Sequence, residues 1–253
     1  MHKQFGLIIL SSALLLAVIS CKPSSRIAEK QGLKETVLTQ YFSENGFRFD
    51  IKLEAGPEHN HPSFAVWIET LNGEVLQTLY VTQSIATGHF RYGDAGNGKW
   101  LKVPGEASRP AALPYWVNRN ELSEGVLPGK QRKVADAYTG ATPVSSTLLK
   151  VKTLEKLPEQ FRVLVEVNQP WDWNAYWNND LHPGDIDYHT SAQPSVVYVV
   201  TVNLDSSVRR YFLNPIGHGH YSGKDGLLYT DLSTLTTALR IFDKIIVDVN
   251  PIQ

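Results

Sequence analysis

The sharpest chemical signal in the chain is the segment 136–142, which reads Asp-Ala-Tyr-Thr-Gly-Ala-Thr. Gly140 and Ala141 keep the backbone before Thr142 narrow and flexible. Pro143 favours an extended conformation at Thr142 and prevents a helix there. An exposed hydroxyl on such a segment can enter the active site of another enzyme and be modified. The alternative is a plain turn between two strands, because Thr, Gly and Pro also cluster in turns.

These residues resemble the acceptor motif of extracytosolic flavinylated proteins, which reads Asp, two variable residues, Ser or Thr, Gly, Ala, then Thr or Ser. The residues that match its five specified positions are Asp136, Thr139, Gly140, Ala141 and Thr142. The resemblance implies that a flavin transferase links FMN through its phosphate to the Thr142 hydroxyl. It also implies that the other four residues form the attachment site, with Asp136 orienting the hydroxyl or holding a metal ion during transfer.

A wider part of the chain is similar to the DUF2271 family of predicted periplasmic proteins. The similarity rests on Phe64–Glu69, Gly73, Thr78–Val81 and the segment 136–143. The first three also resemble a hairpin of immunoglobulin-like (Ig-like) modules. The family resemblance implies an extracytoplasmic electron-transfer setting, with a membrane PepSY-type protein and a flavin transferase as partners.

The first residues of the chain predict export. Lys3 precedes an almost continuous apolar run, Phe5–Ile19, which is short for a membrane span and typical of a secretory signal. The sequence Val18-Ile19-Ser20-Cys21 resembles the lipobox of bacterial lipoproteins, which implies cleavage before Cys21 and lipidation of its sulfur and amine. An ordinary signal peptide with an incidental Cys is the alternative. Lys22, and not Asp, follows Cys21, so the inner-membrane retention signal known for enterobacterial lipoproteins is missing. By this resemblance we expect the protein in the bacterial cell envelope, at the outer membrane and facing the periplasm.

The composition excludes several classes of function. The 253 residues carry 24 Lys and Arg against 25 Asp and Glu, and this balance argues against bulk electrostatic binding of nucleic acid. Cys21 is the only Cys, so the mature chain has no disulfide, no Cys-ligated zinc and no iron–sulfur cluster. A redox cofactor would therefore be held by other means.

A pair of histidines, His218 and His220, is the weak metal candidate. At an i, i+2 spacing on a strand, both imidazoles would face the same side and share a zinc or copper ion. The candidates for the third ligand are His189, Asp187, His59 and His61. The alternative, which we favour, is a Gly-rich hairpin with exposed imidazoles and no metal.

The segment 171–180 is crowded with aromatic and carboxamide side chains, including Trp171, Trp173, Tyr176 and Trp177. Such a surface can stack on sugars or cover an isoalloxazine ring, and the alternative is packing at the edge of a β-sandwich. Nearby, Asp185, Asp187 and His189 are candidates for an acid/base group, although their spacing does not demand one.

The order of elements predicts an all-β fold, an antiparallel β-sandwich (Ig-like) with long loops and at most one or two short helices. We divide the chain into a signal peptide at 1–20, a lipidated Cys and tether at 21–40, and one domain at 41–253. Specific expectations are a hairpin around Asn72-Gly73, pairing of 146–153 with 161–168, pairing of 196–204 with 209–213, and a short helix from Asp231.

Two functions from different classes remain open. The first is an electron carrier with covalent FMN on Thr142, working with a PepSY-type membrane partner. The second is a non-catalytic binding module for a glycan or an envelope protein. An enzyme is less favoured, because no set of catalytic residues is complete. A neighbouring flavin-transferase gene would favour the electron carrier, and neighbouring polysaccharide-utilisation genes would favour the binding module.

Overall fold

The structure is a computed structural model that describes residues 34–96, 99–124, 138–140, 142–154 and 156–250. The predicted signal peptide, the lipidation site Cys21, and the motif residues Asp136 and Ala141 lie outside the described residues. Within the described ranges, no helix is long and apolar enough to cross a membrane.

One sheet has five strands. These are β1 (Thr36–Tyr41), β2 (Arg48–Ala55), β10 (Thr147–Lys152), β13 (Arg210–Phe212) and β15 (Phe242–Asn250), in the order β1-β10-β2-β15-β13. The strict alternation along β2 places Phe49, Ile51 and Leu53 on the fully buried face. β1 begins at Thr36, so the sheet starts before the predicted boundary at residue 41.

The other sheet has six strands. These are β3 (Ser63–Glu69), β4 (Val75–Thr82), β9 (Tyr138–Gly140), β11 (Gln160–Asn168), β12 (Val196–Asn203) and β14 (Asn214–His218), in the order β14-β12-β11-β3-β4-β9. β3 and β4 form the predicted hairpin, and Gly73 at its turn has φ +88°, a conformation that favours glycine. The edge strands β1 and β9 pair in parallel with β10 and β4.

The main apolar core lies between the two sheets. It combines residues of the first sheet, such as Ile51 and Val247, with residues of the second, such as Val66 and Val165. Phe49 and Phe161 meet across it edge to face, with ring centroids 5.8 Å apart. The prediction of an all-β sandwich is confirmed.

A second apolar cluster covers the outer face of the six-stranded sheet and includes Trp67 and Leu164 of the sheet together with Leu113 and Trp116. This layer contains α1 (Gln83–Thr87) and α2 (Pro114–Glu124), and two small ribbons formed by β5 (His89–Phe90) with β8 (Gly105–Glu106) and by β6 (Asp94–Gly96) with β7 (Lys99–Trp100). With α3 (Ile186–Ser191), the described residues hold three short α-helices, where we expected at most one or two, and a 3-10 helix at Thr237–Arg240.

Three local expectations are wrong. β10 and β11 are strands but lie in different sheets, and β13 pairs with β15 while β12 pairs with β14. An alternating pattern fixes which face of a strand is buried, but it does not fix the partner. Asp231 starts a turn and not a helix, because its carboxylate accepts the N–H of Ser233 at 2.9 Å and closes a local ring.

Candidate functional site

Thr142 lies two residues after β9, the edge strand of the six-stranded sheet. β9 ends at Gly140, whose carbonyl accepts a hydrogen bond of 3.3 Å from the hydroxyl of Tyr80. His59 Nε2 donates to the carbonyl of Pro143 at 3.1 Å. The backbone is therefore held on both sides of Thr142, and the Thr142 side chain is half-buried between these anchors.

The structure corrects one part of the motif interpretation. Thr139 and Gly140 belong to β9 and pair with β4, so the backbone here is part of the sheet, where the sequence predicted a narrow and flexible segment. The pairing arises because β9 completes the edge of the sheet. Only Thr142 lies in an irregular segment, while Asp136 and Ala141 are outside the described residues.

Thr142 lines a cavity of about 340 Å³, which we call the Thr142 cavity. Small-molecule sites begin at about 300 Å³, so the cavity can take part of a cofactor of moderate size. Its walls combine aromatic rings, cationic groups and small polar side chains. The lining residues are Asn60, His61, Ser63, Ser84, Phe90, Arg91, Tyr92, Arg109, Thr142, Pro170 and Trp171.

Beside the cavity, hydrogen bonds join loop segments that are far apart in sequence. The N–H of Asn60 donates to the side-chain oxygen of Gln169 at 2.7 Å, and the N–H of Trp171 donates to the carbonyl of Thr190 at 3.2 Å. His61 and Trp171 have left-handed backbones, with φ +55° and +57°. Such conformations are costly for non-glycine residues and concentrate at functional sites.

Arg109 is the unusual charge of this region. Its side chain is only 9% exposed, and its Nε has no hydrogen-bond partner among the described residues. Its guanidinium carbon lies 4.8 Å from the ring centre of Phe90, 5.0 Å from that of Trp100 and 5.4 Å from that of Trp171. We call these three rings the aromatic box. Burial lowers the pKa of Arg109, but a guanidinium remains protonated in proteins.

The charge of the cavity lining has one sign. Arg91 and Arg109 contribute cations, and no Asp or Glu side chain stands among the described lining residues. The faces of aromatic rings offset part of the cost of burying a cation, but they do not replace a counter-ion. The lining therefore suits a planar aromatic group that carries negative charge and lies beside the Thr142 hydroxyl. FMN has this chemistry, so the residues present fit the group implied by the motif.

The structure places His218 and His220 away from the Thr142 cavity. His218 is 9% exposed, donates from Nδ1 to the Gly219 carbonyl at 2.7 Å and stacks on Tyr229. His220 Nδ1 accepts the N–H of Ser222 at 3.1 Å. In the part of the chain that the structure describes, no group of three His, Cys, Asp or Glu side chains could hold a metal ion.

The aromatic side chains of the segment 171–180, and Tyr188 close after it, divide into packing residues and exposed residues. Trp177 and Tyr188 belong to the main core, and Trp173 packs partly buried against it. Trp171 and Tyr176 are 44% and 52% exposed. Edge packing therefore accounts for much of the loop, whereas Trp171 alone of these rings also lines the Thr142 cavity.

The candidate acid/base group is engaged in local structure. Asp185 Oδ1 accepts the N–H of Tyr188 at 3.0 Å and caps α3. Burial alone would raise the pKa of Asp185, but hydrogen bonds from Tyr188 and Lys224 outweigh it, and the pKa lies below its usual range. His189 Nε2 donates to the carbonyl of His182 at 3.2 Å. The backbone N–H of His189 donates to the Asp185 carbonyl at 3.2 Å, but no hydrogen bond between described residues joins the His189 imidazole to the carboxylate of Asp185 or Asp187.

Sequence reasoning missed Glu166, which is fully buried beneath the start of α2. Its carboxylate accepts the N–H groups of Tyr115 at 3.2 Å and Trp116 at 2.6 Å, and the hydroxyl of Ser195 at 2.6 Å. Burial raises the pKa of Glu166 to about 7, although these three hydrogen bonds oppose the rise. Pro114 at the first position of α2 was the available signal, because proline there marks a helix start whose N–H groups need acceptors.

No family model, curated protein or solved structure matches this chain. The similarity to the DUF2271 family and to flavinylated proteins therefore stays a prediction from the residues that carry it.

Proposed function

We propose that this protein is an extracytoplasmic electron carrier with FMN attached covalently to Thr142. The observation that supports the proposal best is that Thr142 shares one cavity with Arg109 and with the rings of Phe90, Tyr92 and Trp171. When bound, a flavin accepts and donates electrons, and the protein supplies binding and tuning. Covalent attachment suits an exported protein, because a dissociable cofactor would be lost.

The attachment step needs a flavin transferase and an activated flavin donor, a dinucleotide in which the FMN phosphate is part of a phosphoanhydride. The Thr142 oxygen forms a bond to the FMN phosphorus, the phosphoanhydride bond breaks, and the nucleotide leaves. The hydroxyl proton passes to a base of the transferase. Anchoring of the backbone at Gly140 and Pro143 leaves the Thr142 side chain as the local group to be presented.

The setting is part of the same proposal. A lipid anchor on Cys21 would hold the protein at the outer membrane, facing the periplasm, and several acyl chains would make that anchor stable. A PepSY-type membrane protein would exchange electrons with the flavin. The resemblance to lipoproteins supports the lipid anchor, and the resemblance to the DUF2271 family supports the PepSY-type partner.

The test is production of the full chain in the periplasm together with a flavin transferase that is active on a known acceptor. We expect in-gel flavin fluorescence and an intact mass raised by FMN less water, both lost in Thr142→Ala. Thr142→Ser is the matched control, because the motif accepts Ser at this position and the substitution keeps the hydroxyl, so the flavin should be retained. An unchanged mass for the wild type would refute the carrier proposal.

A binding module is the second candidate, and the exposed rings of Trp171 and Tyr176 favour it. Exposed aromatic side chains can stack on sugar faces or contact a partner protein. A glycan array with Tyr176→Ala as the control variant tests it. Binding by the wild type that the variant loses would support this candidate, and the absence of binding to any glycan would remove the glycan form of it.

A further inference from the structure

We infer that the Thr142 cavity is a preformed site for a planar aromatic group with negative charge, and that Arg109 is its anion-recognition residue. Applied to the flavin, the inference rests on the proposed function and deepens it. Arg109 would favour the negatively charged reduced ring over the neutral oxidised ring, and so would raise the reduction potential of the carrier.

The first argument is the state of Arg109. A buried cation without a counter-ion is costly, and proteins pair such charges with carboxylates wherever the charge serves only the fold. Elsewhere in the chain, the buried carboxylate of Glu69 lies 2.5 Å from a side-chain nitrogen of Arg162, which is half-buried. Arg109 is more deeply buried, and aromatic rings surround its guanidinium where no carboxylate of the described residues forms an ion pair with it. A ligand anion would supply the missing partner.

The second argument is the shape of the surroundings. Trp100 and Trp171 stand nearly perpendicular, at 83°, with ring centres 6.4 Å apart, and both flank the guanidinium. Trp171 is held in its left-handed backbone and remains 44% exposed. A planar ligand can therefore meet an aromatic surface and a fixed positive charge in the same cavity. Fixed charges in a partly dry site act strongly on charge that develops in a bound group.

Arg91 offers a matched control within the same cavity. It also lines the Thr142 cavity, but its side chain is exposed to solvent. Exposed charges are screened by water and salt, whereas buried charges are screened much less. The inference therefore assigns the electrostatic effect to Arg109 and only a small one to Arg91.

The first measurement is the flavin midpoint potential of the loaded full chain in the wild type, Arg109→Gln and Arg91→Gln. We expect Arg109→Gln to lower the potential by at least the equivalent of a tenfold change in the two-electron equilibrium, about 30 mV. Arg91→Gln should change that equilibrium by less than about threefold. A potential in Arg109→Gln that equals that of the wild type would overturn the inference and leave flavin attachment intact.

The second measurement does not depend on attachment. The full chain carrying Thr142→Ala is titrated without oxygen with oxidised FMN, followed by quenching of flavin fluorescence, and with fully reduced FMN, followed by absorbance. The two forms carry the same phosphate and differ in the charge of the ring. We expect reduced FMN to bind at least tenfold more tightly than oxidised FMN, and Arg109→Gln in this background to remove most of the preference. The absence of saturable binding, or a preference unaffected by Arg109→Gln, would overturn the inference.

The two measurements separate the inference from the proposed function. If the wild type takes no covalent flavin but Thr142→Ala binds FMN in an Arg109-dependent way, the carrier proposal fails and the anion site stands. Arg109→Lys keeps the charge and should keep most of the preference for reduced FMN. Should Arg109→Gln not fold, Trp171→Leu tests the same cavity, and we expect it to weaken FMN binding about tenfold; unchanged binding would overturn the inference.

Discussion

Glu166 and Arg109 are both buried charges on the outer side of the six-stranded sheet, yet their surroundings are opposite. Glu166 accepts hydrogen bonds from two backbone N–H groups and one hydroxyl, so the fold itself uses this carboxylate. Arg109 lies in the aromatic box at the Thr142 cavity, and its Nε has no partner among the described residues. The comparison separates a carboxyl group whose hydrogen bonds belong to the fold from a buried cation that, by our proposal, serves a ligand.

Removal of the Glu166 carboxylate should have the largest effect on stability. Glu166→Ala leaves two N–H groups and the Ser195 hydroxyl without their acceptor, and we expect a loss of about 4 kcal/mol in the free energy of unfolding. Urea denaturation measures it. Glu166→Gln keeps one acceptor oxygen and should lose less. Equal stability of all three proteins would show that Glu166 is not a structural charge.

The pH dependence of stability should follow from the raised pKa of the same group. The folded protein binds the Glu166 proton more tightly than the unfolded chain does, so this contribution is fully present below pH 4.5 and is lost as pH rises to about 7. The change is about 3 kcal/mol, since one pKa unit corresponds to about 1.4 kcal/mol. The difference in unfolding free energy between wild type and Glu166→Gln, measured across this range, isolates it. A flat difference would contradict the assignment.

Removal of the Arg109 charge should have the opposite sign or almost no effect on stability. Arg109→Met keeps an apolar side chain between the rings and removes a buried cation that has no ion-pair partner among the described residues, so we expect the unfolding free energy to stay the same or to rise by about 1 kcal/mol. Thermal and urea denaturation of the protein without flavin measure it. A loss greater than about 2 kcal/mol would place Arg109 with Glu166 as a structural charge.

The smallest effect on stability belongs to Thr142. Its side chain is half-buried at the cavity, and Thr142→Ala should change the unfolding free energy by less than about 0.5 kcal/mol. The same variant should lose all covalent flavin, so its effect on attachment is separated from its effect on stability. A large loss of stability in Thr142→Ala would mean that any loss of flavin reports misfolding.

The sequence predicts local features of this fold much better than contacts between distant segments. The Asn72-Gly73 turn fixes the β3–β4 hairpin, because the turn and both strands are adjacent in the chain. Strand partners such as β10 and β13 were assigned wrongly, because alternation describes a face and not a neighbour. The period-two pattern of β11 does not reveal that α2 buries Glu166 on its outer face.

The same distinction holds for the candidate site. Thr142 and Trp171 were both singled out from sequence, but nothing local indicated that they line one cavity. Arg109 was missed, because it lies in a proline-rich stretch without periodicity and its role depends on rings contributed by Phe90 and Trp171. Burial of a cation among aromatic rings is a property of the assembled fold.

The most direct test of the central claim is peptide mapping of the full chain after co-production with an active flavin transferase. Trypsin should release the segment 134–150, which contains Thr142 together with Thr139, Ser145, Ser146 and Thr147 as alternative hydroxyls. The account predicts that this peptide carries FMN less water and that fragmentation places the added mass on Thr142. An unmodified peptide, or a flavin on any of the other hydroxyls, would contradict it.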